Sequence, residues 1–134
     1  MAEDFDAIVR QCKDRFGIRV HRWRASMSGC AWRSDYADGS SIRWVEAPYP
    51  RSPISLAVFL HEVGHHVIGL DAYPSRCEEE LHAWDWALAT MRELGIKPDR
   101  RVLRRYERSL RYEVERAMRL GVTPLPNELR RFAA

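Results

Sequence analysis

Two histidines four residues apart, with a glutamate directly after the first, form the part of the sequence best suited to chemistry. These residues are His61, Glu62 and His65, an H-E-x-x-H pattern within an apolar segment. Side chains at positions i and i+4 of a helix share one face, so both imidazoles can bind a single zinc ion. Glu62 can then reach a water molecule on the metal and act as a general base. The pattern predicts a Zn²⁺ site with a catalytic glutamate.

The alternative for this segment is a buried helix whose two histidines are hydrogen-bonded and bind no metal. Glu62 argues against it, because a carboxylate in so apolar a segment is costly to bury without a partner. A catalytic zinc site also needs a third protein ligand, with one position left for water. The side chains after the motif that have suitable chemistry are Asp71, Glu78, Glu79, Glu80, His82 and Asp85.

Asp71 has the offset of the third ligand in proteases with the pattern H-E-x-x-H-x-x-G-x-x-H/D. Those proteases have a glycine seven residues after the first histidine, and here Ile68 stands at that position. The sequence therefore disfavours Asp71. The other solution is a glutamate on the following helix, as in thermolysin-like enzymes.

The second candidate helix carries a family resemblance. Segment 80–87 reads E-L-H-A-W-D-W-A and is similar to the motif E-x-[E/Q]-A-N-x-F-A, which follows H-E-x-G-H in the ImmA/IrrE family of small intracellular zinc metallopeptidases. The chain resembles this family over about residues 18–95. Trp84 stands where the family usually has asparagine, and His82 where it has glutamate or glutamine.

The resemblance implies that Glu80 is the third metal ligand. Helical spacing agrees, because Glu80 shares a face with small and aromatic residues expected to pack on the metal helix. Those residues are Ala83, Trp84 and Ala87. His82 is the second choice, since it and Glu79 are three residues apart, and Asp71 is a further alternate. Two of the three glutamates at 78–80 are expected to be solvated.

The resemblance further implies a zinc-dependent endopeptidase that cleaves an intracellular protein, which in this family is often a DNA-binding transcriptional repressor. Glu62 would take a proton from the attacking water and deliver it to the leaving amine. A phenolic or cationic group should stabilise the oxyanion. The candidates for that role are Tyr73, His82, Tyr106 and Tyr112.

Periodicity and turn signals predict the elements that position these residues. Helices are expected at 3–16, from Ser52 and Pro53 to Gly69, at 75–94, at 99–120 and at 125–132. Strands are expected at 18–24, 30–33 and 41–45, with a hairpin at Asp38 and Gly39. The predicted class is α+β and zincin-like, with a small three-stranded antiparallel sheet packed against the metal helix and the helices that follow. The strand ending near Trp44 and Val45 is predicted to be an edge that an extended substrate can join.

Length and composition predict one domain over residues 1–134, with a core at 18–95 and a C-terminal helical extension at 99–132. The three cysteines, Cys12, Cys30 and Cys77, are far apart and form no C-x-x-C pair, which argues against disulfides and a cysteine zinc site. We find no signal peptide and no membrane span in the sequence, so we expect a cytoplasmic protein without membrane contact.

A different function class is a nucleic-acid-binding module that uses the arginine-rich helix 99–119. Its arginines could contact phosphates: Arg100, Arg101, Arg104, Arg105, Arg108 and Arg111. Glutamates interleave with them, which favours a solvated amphipathic helix with Arg104 and Arg105 on the surface and no direct nucleic-acid binding. The remaining alternative is a catalytically inactive adaptor stabilised by zinc.

Overall fold

The computed structural model describes residues 4–122 and 124–133, and over these residues it has the predicted α+β class. The elements are α1 (Phe5–Phe16), β1 (Ile18–Arg24), β2 (Cys30–Asp35), β3 (Ser41–Pro48), α2 (Pro53–Ile68), α3 (Arg76–Glu93), α4 (Arg100–Arg119) and a short 3-10 helix (Asn127–Phe132). Residue 3, the predicted start of the first helix, lies outside the described residues. The 3-10 helix replaces the short final helix predicted at 125–132.

The three-stranded sheet is mixed, so the prediction of an antiparallel sheet is wrong for one strand. The strand order is β1-β3-β2, with β3 antiparallel to β2 and parallel to β1. The hairpin between β2 and β3 is confirmed: Gly39 has a φ of 89°, and the Ser40 amide donates to Asp38 Oδ1 at 2.9 Å. β3 takes the centre because its second half is the most buried part of the sheet, with Val45 and Ala47 fully buried.

The position of β3 overturns the prediction that Trp44 and Val45 lie on a sheet edge. β3 has a neighbour on each side, so its backbone hydrogen-bonding groups are already used within the sheet. The edge strands of this sheet are β1 and β2. An extended peptide can therefore add only to one of these two strands.

α2 begins where the sequence predicts, with Ser52 at the N-cap and Pro53 in the first turn. Ser55 Oγ accepts hydrogen bonds from the backbone amides of Arg51 at 2.8 Å and Ser52 at 3.0 Å, which satisfies donors at the start of the helix. The residues of α2 from Ile54 to His66 are all buried. Such an all-round apolar helix must be covered on several sides. It packs against the sheet, α1, α3 and α4.

α2 and α3 approach each other closely at Gly64. A Cβ atom added at Gly64 would lie 2.8 Å from the carbonyl oxygen of Ala83, so no side chain fits between the helices there. α3 is capped by Ser75 Oγ, which accepts from the Glu78 amide. The predicted packing face of α3 is confirmed, because Ala83, Trp84 and Ala87 are fully buried. This contact brings the acidic start of α3 against the histidines of α2.

α4 packs its apolar stripe on the rest of the protein, with Val102, Leu110 and Val114 fully buried. Leu103, near the start of the helix, is by contrast 43% exposed. Arg105 was predicted to be a surface residue and is instead half-buried. All three cysteines are free thiols. Among the described residues, none of the helices has the length and apolar character needed to cross a membrane.

Candidate metal centre

α2 and α3 bring together three buried side chains whose ligand atoms converge. Glu80 Oε2 lies 2.9 Å from His61 Nε2, and Glu80 Oε1 lies 2.9 Å from His65 Nε2. The two Nε2 atoms are 3.2 Å apart. All the ligand atoms of this group lie within 4.8 Å of one another. His61, His65 and Glu80 thus form the group that the spacing of the motif and the family resemblance predicted.

The hydrogen bond of His65 to Glu79 indicates that the metal group needs a cation at its centre. His65 Nδ1 lies 2.7 Å from Glu79 Oε2. Since a carboxylate accepts hydrogen bonds, Nδ1 carries a proton, and a ring with only this proton keeps a lone pair on Nε2. That lone pair faces a carboxylate oxygen of Glu80 and the Nε2 atom of His61. Three acceptors directed at one point are stable only around a proton or a metal cation.

The donor set fits a divalent metal ion. Two imidazoles and one carboxylate are a usual protein ligand set for catalytic zinc, which leaves one position open. Tetrahedral zinc with Zn–N bonds of about 2.05 Å would separate its two nitrogens by about 3.3 Å, and the separation here is 3.2 Å. The buried group of His61, His65 and Glu80 could therefore hold a metal ion.

Electrostatics in the group favour positive charge. Burial by itself lowers the pKa of His61, but the charge and hydrogen bonds of Glu62 and Glu80 outweigh it and raise that pKa to about 9. Burial acts to raise the pKa of Glu80, and its hydrogen bonds to His61 and His65 outweigh this and hold the pKa well below its usual range. Glu80 is therefore a carboxylate, as a metal ligand must be.

Glu79 and Asp71 are two alternates for the third ligand, and the side chain of Glu79 contacts the backbone amide of Asp71. Glu79 is buried, and its Oε1 accepts a hydrogen bond from the Asp71 amide at 3.0 Å. Its other oxygen is the one that holds His65 Nδ1. Since Glu80 is buried as well, the expectation that two of the glutamates at 78–80 are solvated is wrong. The side chain of Asp71 is exposed and lies outside the metal group.

The other candidate side chains are used elsewhere. His82 stacks on Tyr73, with ring centroids 4.3 Å apart. Tyr106 donates to Asp85 at 2.9 Å. Trp84, at the position where the resembled family has asparagine, stacks on the ring of His61 with a centroid distance of 4.4 Å and an interplanar angle of 15°. The stack fixes the plane of one histidine of the metal group.

Glu62 lies beside the metal group without belonging to it. Its Oε2 is 3.3 Å from His61 Nδ1, and its side chain is 7% exposed at the floor of the cleft. Gly29, in the loop between β1 and β2, packs directly on it. A Cβ atom added at Gly29 would lie 2.9 Å from Glu62 Oε2 and 2.5 Å from the Glu46 carbonyl oxygen. The absence of a side chain at Gly29 therefore makes room for the carboxylate of Glu62.

A cleft of about 590 Å³ opens over this group. One wall is the segment from Ser28 to Ala31, which includes the start of edge strand β2, and the opposite wall is α4. The α4 side chains in the cleft are Arg105, Arg108, Ser109, Tyr112 and Glu113. Of the three tyrosines proposed for the oxyanion, Tyr112 alone lines this cleft.

Arg105 and Arg108 line the site, which was not predicted from the sequence. Their spacing offered a signal, because positions 105, 108, 109 and 112 follow the i, i+3, i+4, i+7 pattern of one helical face. Because this face is polar, the sequence pattern favours a solvated helix. Only the packing of α4 shows that the face borders the metal group.

Comparison of the chain with protein-family models, with curated proteins and with solved structures finds no match. The chemistry of the site therefore has to be derived from its own residues.

Proposed function

We propose that the protein is a zinc-dependent endopeptidase, as its resemblance to the ImmA/IrrE family suggests. The observation that carries the proposal is the buried convergence of His61, His65 and Glu80 beside the separate carboxylate of Glu62 at the floor of an open cleft. A metal site that only stabilised the fold would be closed by a fourth protein ligand. Here the metal group faces a cleft large enough for a peptide segment.

When bound by these three ligands, zinc supplies Lewis-acid chemistry, polarising a peptide carbonyl and lowering the pKa of a water molecule. Glu62 is the general base. One of its carboxylate oxygens accepts a proton from the attacking water and then delivers it to the amine that leaves. Burial of Glu62 and its contact with Gly29 hold the carboxylate in one place. Preorganisation of this kind is what proton transfer by a side chain requires.

The substrate is an extended peptide segment that enters between β2 and α4. β2 is an edge strand, and its first residues, Cys30 and Ala31, line the cleft, so a peptide can pair with the backbone there. Tyr112, on the opposite wall, is the phenol available to donate a hydrogen bond to the oxyanion. By the family resemblance, a DNA-binding repressor is the kind of protein that would be cut.

Metal analysis and peptide cleavage test the proposal. The purified protein should contain one zinc per chain, and His65→Ala and Glu80→Ala should lose it. Glu62→Gln should retain zinc and lose cleavage of a mixed peptide library by about 10²–10⁴-fold, the usual contribution of a general base. His82→Ala and Asp71→Ala are the matched controls and should keep their metal. Stoichiometric zinc in His65→Ala would refute the metal site, and full cleavage by Glu62→Gln would refute the mechanism.

Glu62→Gln also separates the proposed function from an inactive zinc-stabilised adaptor. An adaptor has no use for the basicity of this side chain. If the parent protein binds zinc but its cleavage of the peptide library equals that of Glu62→Gln, the adaptor interpretation is correct.

A further inference from the structure

We propose that Arg105 and Arg108 form a carboxylate-binding subsite on the α4 wall of the cleft. The proposal rests on the proposed function, because it takes the ligand to be a peptide. It adds that this peptide carries an acidic group close to the scissile bond. The acidic group is either an aspartate or glutamate side chain or a C-terminal carboxylate. The chemistry of recognition is the same for both sources.

Arg105 is held in place within the cleft. Its Nη1 donates to the carbonyl oxygen of Met27, and its Nε donates to Ser109 Oγ at 3.3 Å. A guanidinium group has five N–H donors in a planar fork. Within residues 4–122 and 124–133, the N–H groups of Nη2 have no hydrogen-bond partner, so they are available to a ligand. A half-buried and anchored guanidinium loses little freedom when a carboxylate binds.

Arg108 stands one helical turn from Arg105 and lines the same cleft. Burial lowers the pKa of Arg105, and the positive charge of Arg108 lowers it further, while the charges of Glu62 and Glu80 act weakly in the other direction. The two cations therefore repel each other in the free protein. The nearby glutamates of α4 do not relieve this repulsion. Glu107 is paired with Arg111 at 3.0 Å, and Glu113 lies 3.7 Å from Arg116. An anion between the two guanidinium groups would remove the repulsion.

The other charges in the cleft are already paired. Arg76 lies 3.2 Å from Glu80, and Glu80 lies 2.9 Å from the Nε2 atom of each histidine of the metal group. Glu62 lies beside His61. The charged side chains that line the cleft, besides the two histidines, are Arg76, Arg105, Arg108, Glu62, Glu80 and Glu113, three of each sign. A divalent cation in the metal group would therefore leave the cleft with a net positive charge, with Arg105 and Arg108 on its α4 wall. A site with this balance attracts and orients an acidic peptide.

The test measures binding in Glu62→Gln protein, so that peptides are held without being cut. Three pools of short peptides carry the same uncharged fluorophore at the N-terminus. The first pool has one glutamate and an amidated C-terminus, the second has glutamine in its place, and the third has glutamine with a free C-terminal carboxylate. Fluorescence anisotropy gives the affinity of each pool. A preference for the first pool identifies the side chain as the source of the acidic group, and a preference for the third identifies the C-terminus.

We expect one of the two acidic pools to bind at least about tenfold more tightly than the neutral amidated pool, the lower end of what charge-assisted hydrogen bonds contribute. Adding Arg105→Met and Arg108→Met should abolish this preference. Arg104→Met is the matched control, because Arg104 lies on the same helix, is exposed and does not line the cleft. It should leave the preference unchanged.

Arg105 also anchors Met27, so its replacement can disturb the loop between β1 and β2. Arg108→Glu avoids this difficulty, because Arg108 is exposed and its reversal of charge should turn the preference for acidic peptides into a penalty. Equal binding of all three pools, or a preference that survives Arg108→Glu, would overturn the subsite. Cleavage without an acidic preference would overturn the subsite and leave the peptidase intact. A preference for acidic peptides in a protein whose parent form cleaves none of them would support the subsite and overturn the peptidase.

Discussion

Glu79 Oε2 lies 2.7 Å from Nδ1 of His65, on the side of the imidazole ring opposite the metal group. The next residue, Glu80, contacts Nε2 of the same ring at 2.9 Å. Two consecutive glutamates therefore hold both nitrogens of one histidine. Glu79 Oε1 also accepts from the amide of Asp71, a non-glycine residue with a left-handed φ of 60°. One carboxylate thus connects the turn before α3 with the metal group.

This arrangement predicts that Glu79→Gln weakens metal binding without removing a ligand. In glutamine an NH2 donor replaces one of the two carboxylate oxygens, and each oxygen now accepts from a different group, so either His65 Nδ1 or the Asp71 amide loses its acceptor. Loss of such a supporting contact lowers metal affinity by about 10–100-fold. Chelator competition measures the affinity, and Glu78→Gln, the same change one residue away, is the control. An unchanged affinity in Glu79→Gln would mean that this contact does not orient His65.

Gly64→Ala tests the close approach of α2 and α3. In an exposed helix this substitution would stabilise by about 1 kcal/mol, because alanine is the better helix former. Here the added Cβ meets the Ala83 carbonyl oxygen at 2.8 Å, so the helices must separate. We expect the opposite sign, a loss of about 1–3 kcal/mol in the free energy of unfolding. Urea unfolding measures it, and a stabilised Gly64→Ala protein would contradict the packing.

Gly29→Ala should impair catalysis and leave the metal in place. The new Cβ would collide with the Glu46 carbonyl oxygen and with the side chain of Glu62, which is not one of the three proposed metal ligands. We expect kcat/KM to fall by at least about tenfold, as for misplacement of a catalytic group, with unchanged zinc content. Gly39→Ala, in the distant hairpin, strains the backbone without any contact and controls for general destabilisation. Equal effects on activity in both variants would show that Gly29 has no specific role.

The buried thiol of Cys12 predicts a loss of stability at alkaline pH. Burial raises its pKa to about 11, with Arg15 acting weakly in the other direction, whereas in the unfolded chain a thiol titrates near about 8.5. Below that lower value both states hold the proton. As pH rises toward 11 the unfolded state ionises first, so stability falls, by up to about 2.5 kcal/mol at pH 10.5.

Urea unfolding at pH 8 and pH 10.5 measures this loss, and Cys12→Val, which keeps the site apolar, should reduce it. If the parent and Cys12→Val lose the same stability between the two pH values, ionisation of Cys12 does not contribute. Tyrosines and lysines titrate in the same range, so the difference between the two proteins is the relevant quantity.

The sequence by itself determined the local elements of the site. Histidines at i and i+4 share a helical face wherever the helix forms, and Ser52 with Pro53 marks its beginning from short-range capping rules alone. The same holds for the hairpin at Asp38 and Gly39, whose turn chemistry is contained in a few residues. These features depend on neighbours in the chain, so a pattern was enough to predict them.

The tertiary structure alone decided what holds the far side of His65 and what surrounds the metal group. The family resemblance and helical spacing placed Glu80 at the metal group, but neither predicted that the next-door Glu79 would be buried against His65 Nδ1. The strand order and the place of Arg105 in the cleft depend on contacts between distant segments, such as the anchor from Arg105 to Met27. No local pattern encodes such contacts, because their energy comes from burying surfaces that only meet when the chain has folded.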